Sequence, residues 1–217
     1  KKDGIYYTPE YISRYIVEQA VGGWLEDKKK ELGFEELPEL TEKDFNSIKY
    51  YKKQAGIKSS NQNIKDHLEF WLLYQKTLSD IKILDPACGS GAFLNQAFDF
   101  LYKEGQHVNE RIAKLQKGQI ELFRLDEHIL KNNLFGVDLN SESVEITKLS
   151  LWLKTADRNS ELTSLDKNIR CGNSLIDDPE IAGDKAFKWE HEFPEIMGHG
   201  GFDVVIGNPP YVQVKED

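Results

Sequence analysis

Residues 81–93 read IKILDPACGSGAF: an apolar run, then a glycine-rich turn, then the start of a helix. We predict a strand over Ile81–Asp85 and a helix from Ala92 to about Lys103. Glycines in such a turn permit positive φ and let the backbone approach a ligand closely. The free N–H groups at the start of a helix favour a carboxylate or another anionic group, so this turn is a candidate binding loop.

Strands and helices keep alternating after this turn. The pattern predicts strands at Leu134–Asp138, Ile169–Cys171 and Phe202–Ile206, with a helix over Ser143–Ala156 between the first two. Residues 106–132 are interpreted as a further helical segment, or as a helix and a loop. This alternation is typical of an α/β fold with a doubly wound, Rossmann-like sheet, whose ligands lie at the carboxyl ends of the strands.

The N-terminal part of the chain has a different, mostly helical pattern. Thr8-Pro9-Glu10 indicates a helix start, with a capping hydroxyl, proline at the first helical position and an acid in the first turn. Gly22-Gly23 is expected to end or break that helix. Residues 24–79 are highly charged, with one amphipathic helix over Leu68–Leu78 and no chemistry that we can assign.

Size and composition favour a soluble globular protein. The chain has 217 residues, of which 39% are hydrophobic and 30% charged, which fits neither a disordered nor a membrane protein. No apolar run approaches the length of a transmembrane span, and no signal-peptide pattern opens the sequence. The two cysteines, Cys88 and Cys171, lie far apart and form no metal or disulfide framework. We therefore expect a cytoplasmic protein that does not contact a membrane.

The net charge and the two ends of the sequence bear on DNA contact and on the domain organisation. A net charge of −9 argues against extended contact with a phosphate backbone, which usually needs clustered Lys and Arg. The sequence begins at Lys1 without a methionine and stops at Asp217, shortly after its most distinctive motif. We interpret it as a fragment of a longer protein, with a helical region at residues 1–80 and the N-terminal part of an α/β core at residues 81–217.

Asp138, at the tip of the second predicted strand, is placed to accept hydrogen bonds from a ribose diol and would repel a phosphate. A dinucleotide-binding turn is disfavoured because Leu94 replaces the third glycine and Asp138 lies much farther on than the ~20 residues expected. A P-loop is excluded because the turn lacks the Gly-Lys-Ser/Thr ending. The turn and Asp138 together favour a nucleoside-type ligand.

Asn173 follows the third predicted strand and has two interpretations. Its side-chain amide can pair with an adenine edge, donor to acceptor. It can also be a turn asparagine that follows Gly172. The residues alone leave both interpretations open.

Residues 202–211, FDVVIGNPPY, carry the most specific chemical pattern. Two successive prolines remove two backbone donors and stiffen the chain, so the Asn208 side-chain oxygen and the Pro209 carbonyl can point at one amine. Two such acceptors would draw the lone pair of the amine out of conjugation and aim it at a methyl group. Tyr211 offers a flat face for an unstacked base, worth ~1–3 kcal/mol. The alternative is a tight turn with Tyr211 as a core aromatic.

Other reactive residues are expected to have no chemical role. His191-Glu192 lacks a second histidine four residues on and the other histidines are scattered, so no metal site is expected. Cys88 is expected to be a small buried residue and not a nucleophile.

The two main motifs, DPACGSG at residues 85–91 and NPPY at residues 208–211, resemble those of the adenine-N6 DNA methyltransferases of restriction–modification systems. Tyr7-Thr8-Pro9 resembles the methionine-binding motif of these enzymes, and its position ahead of the glycine turn is that of the gamma class. The resemblance covers residues 6–20 and 83–211, and it is absent from residues 24–79.

Three further segments narrow the resemblance: GVDLN at residues 136–140, KLSLWL at residues 148–153 and GNSL at residues 172–175. Together they are similar to the type IIG fused restriction–methylation enzymes and to related phage-defence (BREX-like) methyltransferases. Many relatives have an aspartate where this chain has Asn173.

The resemblance implies that the chain uses S-adenosylmethionine to methylate the N6 amine of an adenine flipped out of double-stranded DNA. The residues implied to bind the cofactor are Tyr7, Thr8, Pro9, Asp85, Pro86, Ala87, Gly89, Gly91, Phe93, Asp138, Leu139, Asn173 and Ser174. The residues implied to act on the adenine are Asn208, Pro209, Pro210 and Tyr211.

The resemblance also implies that later strands, a second base-stacking aromatic and a target-recognition domain follow Asp217. Double-stranded DNA would then be bound largely outside this chain, and a fused nuclease or defence-complex subunits would be partners to test. We predict that the chain alone methylates DNA poorly or not at all. The alternatives that stay open are methylation of RNA or of a protein glutamine, and a non-catalytic cofactor-binding subunit.

Overall fold

The computed structural model describes residues 8–48, 61–116, 125–155 and 164–209. The helices are α1 (Glu10–Glu31), α2 (Glu42–Asn46), α3 (Gln62–Asp80), α4 (Ala92–Leu115), α5 (Leu125–His128), α6 (Ser141–Trp152), α7 (Pro179–Ala182), α8 (Trp189–Glu192) and α9 (Pro194–Gly198). The strands are β1 (Ile83–Asp85), β2 (Leu134–Asp138), β3 (Ile169–Cys171) and β4 (Val204–Val205). A five-residue π-helical segment, Ile129–Asn133, joins α5 to β2.

Within the described ranges, four strands form one parallel sheet in the order β3-β2-β1-β4. Successive strands extend the sheet in one direction from β1 to β3, and β4 then pairs on the other side of β1. The strand order therefore reverses between β1 and β4, which makes this junction the switch point where such sheets bind ligands. The predicted α/β sheet with a helical N-terminal region is confirmed.

Successive strand residues face opposite sides of the sheet, and each side has its own core. Ile83 and Leu134 belong to the larger core, which also contains the buried faces of α1, α3 and α4. Leu84 and Phe135 belong to a second core with aromatic residues of the segment 187–202. Both faces of the sheet are thus covered, as a parallel sheet requires.

Helices α1, α4 and α6 lie against the strands on the side of the larger core, and α3 packs against α4. The periodic apolar face of α4 includes Leu94, Ala97 and Leu101, all of which are fully buried. Each such buried aliphatic side chain larger than alanine contributes about 1.5–3 kcal/mol. Because α1 shares this core, the residues before β1 and the sheet are held together by one continuous apolar cluster.

Two buried asparagines fix the entrances to the inner strands. The Asn133 amide donates to the carbonyls of Leu78, Ser79 and Ile81, which end α3 and lead into β1. The Asn168 amide donates in the same way to the carbonyl of Leu134 and to two carbonyls of the π-helical segment. These amides thus supply hydrogen-bond donors to carbonyls at the start of the inner strands.

The N-terminal helix differs from its prediction in two ways. It begins at Glu10, and Pro9 is an extended N-cap with φ −54° and ψ 141°, so the proline stands one position earlier than expected and Thr8 does not cap the helix. Gly22-Gly23 does not break the helix, which continues to Glu31. The reason is packing: a Cβ on Gly22 would lie 3.2 Å from the Phe100 ring, so this glycine allows α1 to approach α4 closely.

The observed boundaries of α4 and α6 also differ from the predicted ones. Helix α4 extends to Leu115 instead of ending near Lys103, because its apolar face continues through Val108 and Ile112. Helix α6 begins at Ser141, two residues before the predicted start, because the Asn140 side chain caps it by accepting from the N–H groups of Glu142 and Ser143.

The two adjacent glycines of α1 provide a matched test of helix packing. Gly23→Ala should raise the free energy of unfolding by up to about 1 kcal/mol, because alanine favours the helix and nothing lies within 4 Å of the added Cβ. Gly22→Ala should gain less or lose stability, because the same methyl group presses on Phe100. Urea unfolding of both variants measures the difference, and equal effects would contradict the close packing of α1 on α4.

Candidate functional site

The candidate site lies at the switch point between β1 and β4. The turn after β1 and the residues after β4 meet there, because Ile83 pairs with Val204 and Leu84 with Val205. The approach is close: a Cβ on Gly207 would lie only 2.8 Å from Asp85 Oδ1. Glycine at position 207 is therefore what permits the Asn208 segment to pass beside the end of β1.

The Asp85–Gly91 turn is fastened from two sides. The Gly89 N–H donates to Asp138 Oδ2 at 2.8 Å, and the Thr147 hydroxyl donates to the Gly89 carbonyl at 2.8 Å. Gly89 and Gly91 have φ of 52° and 83°, a region that favours glycine. A Cβ on Gly91 would also lie 3.0 Å from the Thr147 methyl group, so both glycines are needed for this shape.

Asp138 ends β2 beside this turn and is half-buried. Its Oδ2 accepts from Gly89, and its Oδ1 accepts from the Asn140 N–H at 2.9 Å. The carboxylate thus joins the turn after β1 to the turn after β2. Each carboxylate oxygen can accept more than one hydrogen bond, so Asp138 keeps acceptor capacity for hydroxyl donors.

Asp85 is the most strongly perturbed carboxyl group of the site. It is only 1% exposed, and burial raises its pKa to about 7, while a hydrogen bond from the Ala87 N–H opposes that shift and the Asp138 charge adds to it. Its Oδ1 accepts from Ala87 at 3.1 Å, but its buried Oδ2 has no partner among the described residues. An unpaired buried acceptor is costly, so this atom is a candidate contact for a ligand that carries N–H donors.

Cys88 is buried in the turn, as predicted. Its N–H donates to the Val137 carbonyl, which ties the turn to β2. Burial, with the nearby Asp85 and Asp138 charges, raises the pKa of the thiol far above its usual range. A thiol held neutral in this way is a poor nucleophile.

Asn173 adopts the turn geometry that the sequence left open. Its side-chain oxygen accepts from the Leu175 N–H at 3.1 Å, and its own N–H donates to the Lys185 carbonyl. The Ser174 carbonyl accepts from the Trp189 indole, so this loop is fastened to the aromatic segment 187–202. Contact between Asn173 and an adenine stays a prediction.

Asn208 and Thr8 come together although they are far apart in sequence. The Asn208 Nδ2 group donates to the Thr8 hydroxyl at 3.3 Å, which places the start of α1 beside the end of β4. Pro209 follows and is exposed. Tyr7, Pro210 and Tyr211 lie outside the described residues.

Two further predicted site residues have distinct environments. Phe93 is buried in the larger core, so its side chain supports the turn from behind. Leu139 is 57% exposed next to Asp138 and can contact a ligand from the solvent side. Pro86 and Ala87 are half-buried within the turn itself.

Some residues that shape the site were missed from sequence. Thr147 lies inside α6, directly before the KLSLWL segment, and its own spacing does not single it out. Lys148 is nearly buried and pairs with Asp166 at 2.7 Å and Glu145 at 3.0 Å, which anchors α6 near the start of β3. Phe187 and Phe193 belong to the aromatic core on the second face of the sheet. The close spacing of aromatic residues in this segment is a sequence signal that could have predicted this core.

The described part of the chain holds no group of three or more His, Cys, Asp or Glu side chains arranged to bind a metal ion. Within the same ranges, no helix is both long enough and apolar enough to cross a membrane.

These observations define a Rossmann-like α/β domain with its candidate ligand site at the β1–β4 switch point. The carboxyl ends of β1, β2 and β4 supply Asp85, Asp138 and Asn208 to that site.

Residues 132–217 match the family described as Eco57I restriction-modification methylase. Relatives extend the similarity to most of the chain. A protein of Methanocaldococcus jannaschii, whose name describes a type II restriction enzyme and methyltransferase, is 31% identical over 182 residues, covering 80% of this chain and 14% of the relative. Residues 132–217 thus form an Eco57I-type restriction-modification methylase segment, within a chain that is similar to such enzymes over most of its length.

Two other relatives have more specific names. The type II restriction enzyme and methyltransferase RM.Eco57I of Escherichia coli is 33% identical over 171 residues, 65% of this chain and 16% of the relative. The adenine-specific methyltransferase PglX of Streptomyces coelicolor is 30% identical over 168 residues, 63% of this chain and 13% of the relative. The chain therefore aligns with only about a seventh of the length of each relative.

The buried Asp85 carboxyl predicts an unusual pH dependence of stability. Its pKa is about 7 when folded, against an ordinary 3.8, so between these values the folded state binds more protons than the unfolded state. Stability from this group is therefore lost as pH rises through that window, by about 1.4 kcal/mol per pH unit at most. Asp85→Asn should remove this part of the slope.

Denaturant unfolding from about pH 5 to about pH 8 measures how the free energy of unfolding of Asp85→Asn and of the unaltered chain depends on pH. Asp184→Asn is the control, because this aspartate is exposed, and it should retain the unaltered pH dependence. If Asp85→Asn keeps the same slope as the unaltered chain, Asp85 is not a neutral buried acid.

Proposed function

We propose that this chain forms the cofactor-binding and amine-binding part of an S-adenosylmethionine-dependent methyltransferase that acts on the N6 amine of adenine in DNA. One observation carries the proposal: the Asp85–Gly91 turn and Asn208 meet at the switch point between β1 and β4. The methyl donor and the Asn208 side chain, which would accept a hydrogen bond from the exocyclic amine, would then share one crevice.

The residues at the crevice fit S-adenosylmethionine chemically. Asp85 Oδ2, which has no hydrogen-bond partner among the described residues, suits a cationic ammonium group, and such a group would also favour the charged form of this carboxyl. Asp138 suits the ribose hydroxyls, and the glycine turn leaves room for close backbone approach. Thr8 and Pro9 lie at the N-terminus of the 22-residue helix α1, where a carboxylate is favoured.

Other proposed cofactor contacts come from residues within and beside the turn. Leu139 would cover the ligand from the solvent side, and Asn173 or Ser174 would lie near its adenine. Pro86, Ala87 and Phe93 would shape the turn without donating a charged group, and Tyr7 is included from its sequence motif alone.

When bound, S-adenosylmethionine supplies an electrophilic methyl group on a sulfonium. The chain's task is to present a nucleophilic amine to it. Asn208 Oδ1 accepts no hydrogen bond from the described residues and is available to one amine proton. The carbonyl of Pro209, an exposed residue, can accept the other. Two acceptors hold the amine and localise its lone pair, so no general base is needed before transfer.

Adenine in DNA is the proposed substrate because relatives with this domain are named as restriction–modification or adenine-specific methyltransferases. Pro210 and Tyr211 complete the proposed base-binding motif, with Tyr211 stacking on the flipped base. The net charge of −9 implies that most phosphate contacts come from protein outside this chain. We propose a cytoplasmic enzyme whose partners include double-stranded DNA, with a fused nuclease or defence-complex subunits as further candidates.

Methyl transfer from labelled S-adenosylmethionine tests this function. The longest natural polypeptide that contains this chain should convert adenine in duplex DNA to N6-methyladenine, detected by mass spectrometry of digested nucleosides. Asn208→Ala should lower the rate by about 100- to 1000-fold, as expected when one oriented hydrogen-bonding group is lost from a site of developing charge. Asn46→Ala, an exposed asparagine of α2, is the matched control and should keep the full rate.

The other outcomes are equally specific. Label in RNA or in a protein glutamine, with none in DNA, would replace the proposed substrate. Binding of the cofactor without any transfer would favour a non-catalytic subunit. The chain alone should show little or no transfer, and robust sequence-specific methylation by it would contradict the proposed need for further domains.

A further inference from the structure

The contact between Asn208 and Thr8 has a consequence for the orientation of the Asn208 amide. Thr8 is buried at 9% exposure at the start of α1, and its hydroxyl accepts from Asn208 Nδ2 at 3.3 Å. A side-chain amide is planar, with its donor and acceptor on opposite sides. Holding the nitrogen against Thr8 therefore fixes the direction in which Oδ1 points.

The opposite orientation would disable the proposed amine acceptor. A rotated amide would direct its nitrogen, which carries only donors, toward an amine that also donates. The Thr8 hydroxyl could bind Oδ1 in that orientation only by turning its own hydrogen toward it. When the Thr8 hydrogen is donated to the proposed cofactor carboxylate, the hydroxyl can only accept. Thr8 then binds the amide nitrogen and not Oδ1, which favours the observed orientation.

We infer that Thr8 is a positioning residue for methyl transfer: its hydroxyl holds the Asn208 amide so that Oδ1 faces the target amine. The inference rests on the proposed function of Asn208. A hydroxyl can accept one hydrogen bond and donate another, so Thr8 can serve Asn208 and a cofactor carboxylate at the same time. Loss of the contact with Asn208 should lower kcat, whereas loss of the contact with the cofactor carboxylate should raise KM for S-adenosylmethionine.

Three variants of the longest natural polypeptide test the inference, with kcat and KM for S-adenosylmethionine measured on adenine-containing duplex DNA. Thr8→Val keeps the shape but removes the hydroxyl, and it should lower kcat by about 10- to 100-fold even at saturating cofactor, because the acceptor is misplaced. Thr8→Ser restores the hydroxyl and should recover kcat to within about threefold of the unaltered protein. Ser13→Ala removes another buried hydroxyl of α1, which bonds to the Glu10 carbonyl, and should leave kcat unchanged.

A double variant separates positioning from a general loss of structure. In the Asn208→Ala background there is no amide to orient, so Thr8→Val should cause no further loss of kcat. If Thr8→Val does not fold, Thr8→Ala replaces it in both backgrounds with the same expectation.

The inference fails, while the proposed function stands, if Thr8→Val raises KM for S-adenosylmethionine with unchanged kcat, or if the losses in the double variant are multiplicative. Equal inactivity of Thr8→Ser and Thr8→Val, with both folded, would also overturn it. If the unaltered protein transfers no methyl group to any substrate, the proposed function and this inference both fail.

Discussion

Everything at the candidate site depends on the parallel pairing of β1 with β4. This pairing reverses the strand order of the sheet and brings residues 85–91 against residues 207–209, although more than half of the chain separates them. The close approach is possible because Gly207 has no Cβ to meet Asp85. A single strand pairing therefore assembles the proposed cofactor and amine sites from two distant sequence motifs.

A second constraint holds the crevice in shape. Asp138 and Thr147 fasten Gly89 through its N–H and its carbonyl, so β2 and α6 determine the position of a turn that belongs to β1. The buried Asp85 shows the opposite behaviour, with an oxygen that no described residue satisfies. A rigid loop beside an unsatisfied acceptor is the arrangement expected of a site that reaches its favourable state only when a ligand is bound.

The sequence predicted the strands, the glycine turn and the order of the motifs, because periodic apolar runs and a glycine turn are local signals. It did not predict that Gly22-Gly23 lies within a helix, since the reason is contact with Phe100 on another helix. It placed Asp85, Asp138 and Asn208 at strand ends, but not the Thr147 contact or the Thr8–Asn208 hydrogen bond. Such contacts join residues far apart in sequence, and no spacing rule encodes them.

The central claim is that the crevice between β1 and β4 binds S-adenosylmethionine, and calorimetric titration of the folded protein tests it most directly. Both this chain and the longest natural polypeptide that contains it should be titrated, each with an Asp138→Asn variant and an Asp184→Asn control. The account predicts saturable binding at one site, weakened at least about tenfold by Asp138→Asn and unchanged by Asp184→Asn. Absence of binding by both folded proteins, or equal binding by the Asp138→Asn variant, would contradict it.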